Sequence, residues 1–499
     1  MSTDADLLAA EYFRTGTLGG LPDQHFIDGQ WQASASGDKM ETFDPGLGRA
    51  FHSFAAGGQS DVEAAVEAAR RALGGPWRRL RPEERGAILA RAAALIRENS
   101  PRLSVIECLD SGKPLQEAES DVAGAARCFE FYAGAADKDI ADCFPLGPDY
   151  LGYTVNEPVG VTAHIIPWNF PLSTIARGIA PALAVGCTVV AKPAEQTPLT
   201  ALLLAEILLQ AGLPAGACNV VTGTGASAGV PLVSHRDVRH VTFTGSVPTG
   251  VAVMQAAARN ITSVVLELGG KSPILVMADA DLDAAVEGVL GGIYENAGQI
   301  CSAGSRLVIE RVVHAEMVGR LAARAQQITL GHGLRRPQIG PVNSLAQQNK
   351  IADYVNGAKS RGIVVAAGGS SATDAKTGKG WFYRPTILDQ VPAADAVIQE
   401  EIFGPVLSIQ VVEGEDEAVA VANDTPFGLV AGIYTRDFAR AHRMARDIDA
   451  GQIYINEYFA GGIQVPFGGN KMSGFGREKG MAALRSYSKI KGVAARIKD

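Results

Sequence analysis

At 499 residues the chain is too long for one compact core, so two or three domains are expected, with enough buried surface to need neither disulfides nor metal for stability. Its 47% hydrophobic and 20% charged content is ordinary for a globular enzyme. A formal net charge of -8, with no basic block, disfavours nucleic acid as a partner.

Residues 1 to about 20 read as a weakly ordered tail. Phe26-Ile-Asp-Gly-Gln-Trp31 reads as strand, glycine turn and strand, and Asp44-Pro-Gly-Leu-Gly48 as a turn. Small apolar residues at helical spacing predict a helix from Ser60 to Leu73 with Ser60 as its N-cap. Helices are predicted over Arg81 to Asn99, Pro101 to Leu109 and Ser120 to Ala136, and no sharp chemical motif precedes residue 150. Strands then alternate with helices: strands at Gly160 to Ile166, Thr188 to Lys192, Ala217 to Thr222 and His240 to Thr244, and helices up to about Val185 and over Pro198 to Ala211. Such alternation calls for a parallel sheet covered on both faces, whose ligands bind at the strands' carboxyl ends. Trp168-Asn169, Lys192, Gly223 and Gly245-Ser246 fall at those ends. A second alternation follows Glu267: strand Ile274 to Met277, helix Leu282 to Tyr294, strand Arg306 to Glu310, helix His314 to Thr329, and a partly helical section around Leu345 to Ser360. The expected fold is α/β, with two wound parallel-sheet halves and a boundary near Glu267.

The six cysteines, Cys108, Cys128, Cys143, Cys187, Cys218 and Cys301, include no C-x-x-C pair, which argues against a zinc site and a redox dithiol. So few cysteines point to a reducing compartment, and the acidic start Met1-Ser-Thr-Asp-Ala-Asp lacks the basic opening of a signal peptide. The longest uncharged apolar stretch, Gly178 to Ala191, is too short to span a membrane and contains Pro181. The expectation is a cytoplasmic protein without membrane or metal.

The chemistry centres on Asn296-Ala-Gly-Gln-Ile-Cys301-Ser-Ala-Gly-Ser-Arg306. A thiol between a helix and a strand, among small residues, lies near backbone N–H groups that lower its pKa and stabilise negative charge on a substrate; the alternative is a small buried hydrophobe. Gly245-Ser-Val-Pro-Thr-Gly250 and the opening with Gly223, Gly225 and Gly229 offer backbone N–H groups to phosphate, although neither is a G-x-G-x-x-G fingerprint and ordinary turns remain open. Lys192-Pro-Ala-Glu195 sets a cation and an acid on one loop, suited to ribose hydroxyls or to a solvated pair. Its acid would repel a 2′-phosphate, favouring NAD over NADP. Glu267, ending an apolar run, is either a general base of raised pKa or a salt-bridged acid. Asn169, before Pro171, is either an oxyanion donor or a turn former.

In order along the chain, Pro167-Trp-Asn-Phe-Pro171, Lys192-Pro-Ala-Glu195, Phe243-Thr-Gly-Ser246, Leu266-Glu-Leu-Gly-Gly-Lys-Ser-Pro273, Gly298-Gln-Ile-Cys301, Glu401-Ile-Phe-Gly-Pro-Val406 and Pro466-Phe-Gly-Gly469 resemble the motifs of the NAD(P)-dependent aldehyde dehydrogenase superfamily. The resemblance runs from about Phe26 to Val493. It implies a Rossmann-like NAD-binding domain at 1–138 and 157–267, a catalytic domain at 268–478, and a small β bridging element at 139–156 and 479–499 that builds a homodimer or homotetramer. The alternating Tyr150-Leu-Gly-Tyr-Thr-Val155 fits an edge that pairs with another chain, or one covered within its own subunit.

By the same resemblance, Cys301 attacks an aldehyde, and the Asn169 amide with the Cys301 backbone N–H holds the oxyanion. Hydride then passes to NAD, and Glu267 activates water to release a carboxylic acid from the thioester. NADP is less favoured. Ile165, Trp168, Lys192, Glu195, Gly225, Gly229, Gly245, Ser246, Gly269, Glu401 and Phe403 are implied to hold the cofactor. Within that set Lys192 and Glu195 meet the adenosine ribose, Ser246 the pyrophosphate, and Glu401 and Phe403 the nicotinamide side. Glu478 is implied to aid proton relay, but Gly178 stands where many members carry a lysine, which weakens a relay routed there.

Arg177 lies where the similar succinate-semialdehyde dehydrogenases clamp a substrate carboxylate, the alternative being a surface arginine paired with an acid. Their second arginine is Glu295 here, which would repel a carboxylate or pair with Arg177. With Phe170, and with Tyr458 and Phe459 in the expected entrance loop, an aromatic or medium aliphatic aldehyde is favoured. The alternatives are a semialdehyde dehydrogenase using Arg177, a CoA-acylating enzyme (against which Glu267 argues), a non-catalytic relative and a thiol hydrolase.

Overall fold

The computed structural model describes residues 4–497. Five parallel strands form the centre of the first sheet, in the order Cys218–Val220, Thr188–Lys192, Val161–Ile165, Val238–Thr244 and Ser263–Glu267. An antiparallel hairpin, His25–Ile27 with Gln30–Gln32, extends one side, and the short strand Gly474–Phe475 closes the other. The apolar, β-branched run Thr188–Lys192 is buried throughout, as a strand covered on both faces requires. Its neighbour Val161–Ile165 is where the winding changes direction: later strands are added on the Val238–Thr244 side. Such a switch point leaves a crevice beyond the carboxyl ends of these two strands.

The second sheet has seven strands, in the order Val364–Ala367, Thr386–Asp389, Val406–Val412, Arg306–Glu310, Pro273–Val276, Val430–Tyr434 and Gln452–Ile455, parallel except for the first pair. The first sheet's last long strand ends at Glu267 and the second sheet's first begins at Pro273, so the turn between them links the halves. A separate antiparallel sheet joins Cys143–Phe144, Tyr150–Pro158 and Ser488–Arg496. Helices cover both large sheets, and the overall class is α/β. Among the described residues no helix is long and apolar enough to cross a membrane.

Local sequence explains the elements that frame the site. Pro171 occupies the first turn of the helix Pro171–Val185, where its missing N–H costs nothing, and Gly186 ends that helix in the left-handed conformation. Asp281 caps the helix Leu282–Tyr294 by accepting from the N–H groups of Asp283 and Ala284.

Two expectations need correction. The amino-terminal segment is not a loose tail where it is described: Asp4–Thr15 is a helix burying Ala5, Ala9 and Tyr12, and the Tyr12 hydroxyl donates to Asp44 at 2.7 Å. The helix expected to be capped by Ser60 starts at Gln59 with Gly58 as N-cap, and Asp61 accepts the Gly58 N–H.

Candidate active site

A cavity of about 640 Å3 opens where the carboxyl ends of the first sheet face the loops entering the second. Cys301, Glu267 and Asn169 all line it. So do Ile165, Trp168, Lys192, Glu195, Gly225, Gly245, Ser246, Gly269, Glu401 and Phe403, together with Phe170, Arg177, Glu295 and Phe459. Gly229 is the exception among the residues expected there: it packs under the Lys192 stem, where an added Cβ would meet Lys192 Cδ at 3.5 Å.

The loop bearing Cys301 is held in an unusual shape. Asn296, Ala297 and Gly298 have φ of +46°, +54° and +72°, three left-handed residues in succession. At a non-glycine residue that conformation costs about 1–2 kcal/mol, so neighbours must enforce it. The Asn296 N–H donates to Glu117 Oε2 at 3.0 Å and its side-chain amide to the Asn169 carbonyl at 3.1 Å. Asn169 Nδ2 donates to the Gln299 carbonyl at 2.9 Å, while Gln299 Nε2 donates to the Asn296 carbonyl at 2.9 Å. At Gly298 a Cβ would collide with the Gly404 carbonyl, so only glycine permits that approach. The loops of Asn169 and Cys301 are thus tied together by amide hydrogen bonds. One Asn169 N–H is engaged by Gln299, and its amide has a second.

Cys301 is partly exposed and lines the cavity. Its acidity is opposite to that expected from its backbone setting: burial pushes the pKa up to about 11, Arg177 counteracts, and Glu267 and Glu401 push the same way as burial. Glu267 is only 1% exposed, and neither carboxylate oxygen has a hydrogen-bond partner in the protein. Burial first, and then Glu478, raise its pKa well above the usual carboxylate range. Gly468 makes room for this carboxyl, since a Cβ there would lie 2.8 Å from Glu267 Oε1.

The cofactor candidates on the cavity wall have a different character. Lys192 Nζ donates to the Pro193 carbonyl at 2.7 Å and lies 3.6 Å from Glu195 Oε2. Gly225 has open space where its Cβ would be, and the helix Val247–Ala258 points its first turn at the cavity from behind Ser246. Ser246 does not cap that helix, leaving first-turn N–H groups for an anion. Glu401 Oε1 accepts from the Gly270 N–H at 3.0 Å, and any side chain at Gly269 would strike that carboxylate. Phe403, itself left-handed at φ +60°, meets Trp168 edge-on with ring centroids 5.3 Å apart.

Phe170, Tyr454, Phe459 and Phe467 supply aromatic surface to the cavity. Arg177 is ion-paired with the buried Glu478, not with Glu295. Tyr458 does not border the entrance: it is buried and donates its hydroxyl to the Ser302 carbonyl at 2.8 Å, bracing the cysteine loop. Sequence reading passed over Asp121, Gln347, Lys350, Tyr454 and Lys479, which also line the cavity. It passed over the whole segment before residue 150, where Lys113 pairs with Asp121 and stands 4.0 Å from the Phe170 ring centre. No local motif marks those residues. Lys479 alone had a signal, its place inside a glycine-rich stretch beside Glu478.

The profile of the aldehyde dehydrogenase family matches residues 31–493. The chain belongs to this family. An aldehyde dehydrogenase from Aspergillus niger is 40% identical over 497 residues, 99% of either chain. A betaine aldehyde dehydrogenase from Rhizobium leguminosarum bv. trifolii is 43% identical, covering 94% of this chain and 96% of its own length. An aldehyde dehydrogenase from Bacillus cereus, solved as its NAD+ complex, superposes with a TM-score of 0.93 at 40% identity, over 95% of this chain and 97% of that one.

Proposed function

We propose that this aldehyde dehydrogenase oxidises an aromatic or medium aliphatic aldehyde to the carboxylic acid with NAD, through a thioester on Cys301. The observation carrying this reading is the convergence of the partly exposed Cys301, a buried carboxyl without protein partners and a spare amide N–H on one cavity that Lys192, Glu195, Gly225 and Ser246 also line. These residues fit NAD. Glu195 with Lys192 suits a ribose diol, Gly225 and the helix start behind Ser246 suit the pyrophosphate, and Glu401 with Phe403 suits the nicotinamide side. NADP fits less well against the Glu195 carboxylate.

Cys301 Sγ, its proton released to solvent, bonds to the aldehyde carbon as the C=O π bond opens, and the second Asn169 N–H with the Cys301 backbone N–H holds the resulting oxyanion. NAD, when bound, supplies the acceptor for the hydride lost in this oxidation. The thioester left on Cys301 is then attacked by water whose proton passes to Glu267. Burial and Glu478 push the Glu267 pKa up, so its base form gains population as pH rises and hydrolysis speeds up with it. The substrate arm is read from Phe170, Tyr454 and Phe459. We further assign residues 1–138 and 157–267 to NAD binding, 268–478 to catalysis, and 139–156 with 479–499 to a homodimer or homotetramer contact.

The test is NADH formation by single variants. Cys301→Ala abolishes it while NAD binding persists. Glu267→Gln yields one burst of NADH per site and then a steady rate lower by about 100-fold or more. An unchanged steady rate removes Glu267 from the base role, and full activity without Cys301 defeats the reading.

A further inference from the structure

Lys479 is a strained residue at a chemically exposed place. Its φ of +60° is left-handed, a conformation that a long side chain adopts only when its surroundings hold it there. The side chain borders the cavity and stands 5.1 Å from the Phe467 ring centre. Among the described residues no carboxylate or carbonyl forms a hydrogen bond or ion pair with its ammonium. Its nearest charges are accounted for otherwise. Arg177, which also borders the cavity, is paired with Glu478. Glu267 has its charged form disfavoured by burial and by Glu478. Glu295 belongs to a different group, being influenced by Asp121 and Lys113. Burial, followed by Arg177, lowers the Lys479 pKa, with Glu478, Cys128 and Cys301 opposing.

A half-buried ammonium that no carboxylate touches is costly, and a cation–π contact and the more distant Glu478 offset only part of that cost. An anion entering the same cavity would offset the rest. We propose that Lys479 is a specificity-determining residue that selects aldehydes bearing a carboxylate, which it receives beside Phe467 while the aldehyde carbon faces Cys301. This rests on the oxidative reading above and deepens it by naming the substrate's second functional group. Arg177, the residue suggested by sequence for that role, is tied to Glu478 and backs the site with positive charge.

The test compares matched aldehydes, para-carboxybenzaldehyde against its methyl ester and glutaric semialdehyde against pentanal, in the wild type, Lys479→Met and Lys479→Arg. Methionine keeps the length of the side chain and the same backbone demand without the charge, and thermal melting checks that each variant is folded. In the wild type kcat/KM favours the carboxylate member of each pair, and Lys479→Met lowers that preference by about tenfold or more, the scale of one charge-assisted hydrogen bond. Lys479→Arg keeps most of it. A loss shared equally by charged and uncharged aldehydes would mean that Lys479 acts on the thiol itself, and overturns the proposal.

A second readout needs neither cofactor nor turnover. Alkylation of Cys301 by iodoacetate and by iodoacetamide, followed on the Cys301 peptide by mass spectrometry, gives an anion-to-neutral rate ratio. That ratio falls about tenfold in Lys479→Met if the ammonium recruits carboxylates. An unmoved ratio overturns the Lys479 assignment. Absence of NADH from every aldehyde, with the alkylation ratio falling as expected, overturns the oxidative reading instead.

Discussion

At the scale of single residues, burial pushes the pKa of the nucleophile candidate and of the base candidate upward, toward their neutral forms. A thiol with a pKa of about 11 is ionised to only about one part in ten thousand at pH 7, so its reactivity in the cofactor-free protein is limited by thiolate supply. Labelling of Cys301 by iodoacetamide therefore rises about tenfold per pH unit between pH 7 and pH 10. A plateau below pH 8 would show that the loop amides and Arg177 outweigh burial. Residue types and motifs in the sequence marked Cys301, Glu267 and Asn169 and offered a raised Glu267 pKa as one reading, but set the Cys301 pKa in the opposite direction. The observed directions follow from burial and from Glu478 and Arg177, which are remote in the chain and adjacent in space. Arg177 attracted notice as a carboxylate clamp by its spacing from Asn169, whereas Lys479, marked only by its place beside Glu478, did not.

At the scale of elements, what was legible is what depends on local periodicity. The strands Thr188–Lys192 and Arg306–Glu310 and the helix Leu282–Tyr294 fall on their expected residues, because a buried parallel strand and a capped amphipathic helix each write their pattern locally. The helix Asp4–Thr15 was not legible, because its docking depends on Tyr12 reaching Asp44. The turn at Glu295–Gly298 was not legible either: its left-handed run is imposed from outside, in part by Glu117. That carboxyl is raised to about 8 by burial, then Glu295, with Lys113 and the Asn296 N–H opposing and Asp121 adding to the rise. A carboxyl whose folded pKa exceeds its unfolded value binds more protons folded than unfolded, so its contribution to stability is lost as pH rises from about 4.5 to 8. Glu117→Gln keeps an oxygen to accept the Asn296 N–H without the charge. The melting temperature of this variant, relative to wild type, should climb by a few degrees between pH 5 and pH 9. A difference that stays constant with pH would show that Glu117 does not titrate in that window.

At the scale of the whole molecule, the two wound sheets enclose the cavity, and the three-stranded sheet stands apart from both. Its outer strand Ser488–Arg496 pairs along its length with Tyr150–Pro158 and has no strand beyond it. Ile490 is 74% exposed, and Tyr150, Leu151, Tyr153 and Val155 are also exposed in the single chain. A long, unpaired and apolar edge is a template for another chain, and proteins that remain monomeric blunt such edges with charge, proline or a covering loop. Here the lysines Lys489 and Lys491 reach back to Glu157 on the neighbouring strand. They leave Ile490 between them uncovered. The same sheet lies next in sequence to Lys479 and the helix Ala482–Tyr487, which packs on Pro171–Val185, the helix carrying Arg177. A contact between copies at this edge would therefore stabilise one wall of the cavity as well as the edge itself. Light scattering should give a mass of two or four times 52.1 kDa, and Ile490→Asp, placing a charge in the apolar edge, should shift that mass toward the single chain. A wild-type protein that runs as a 52.1 kDa species at micromolar concentration would refute the contact and leave the exposed edge without a partner.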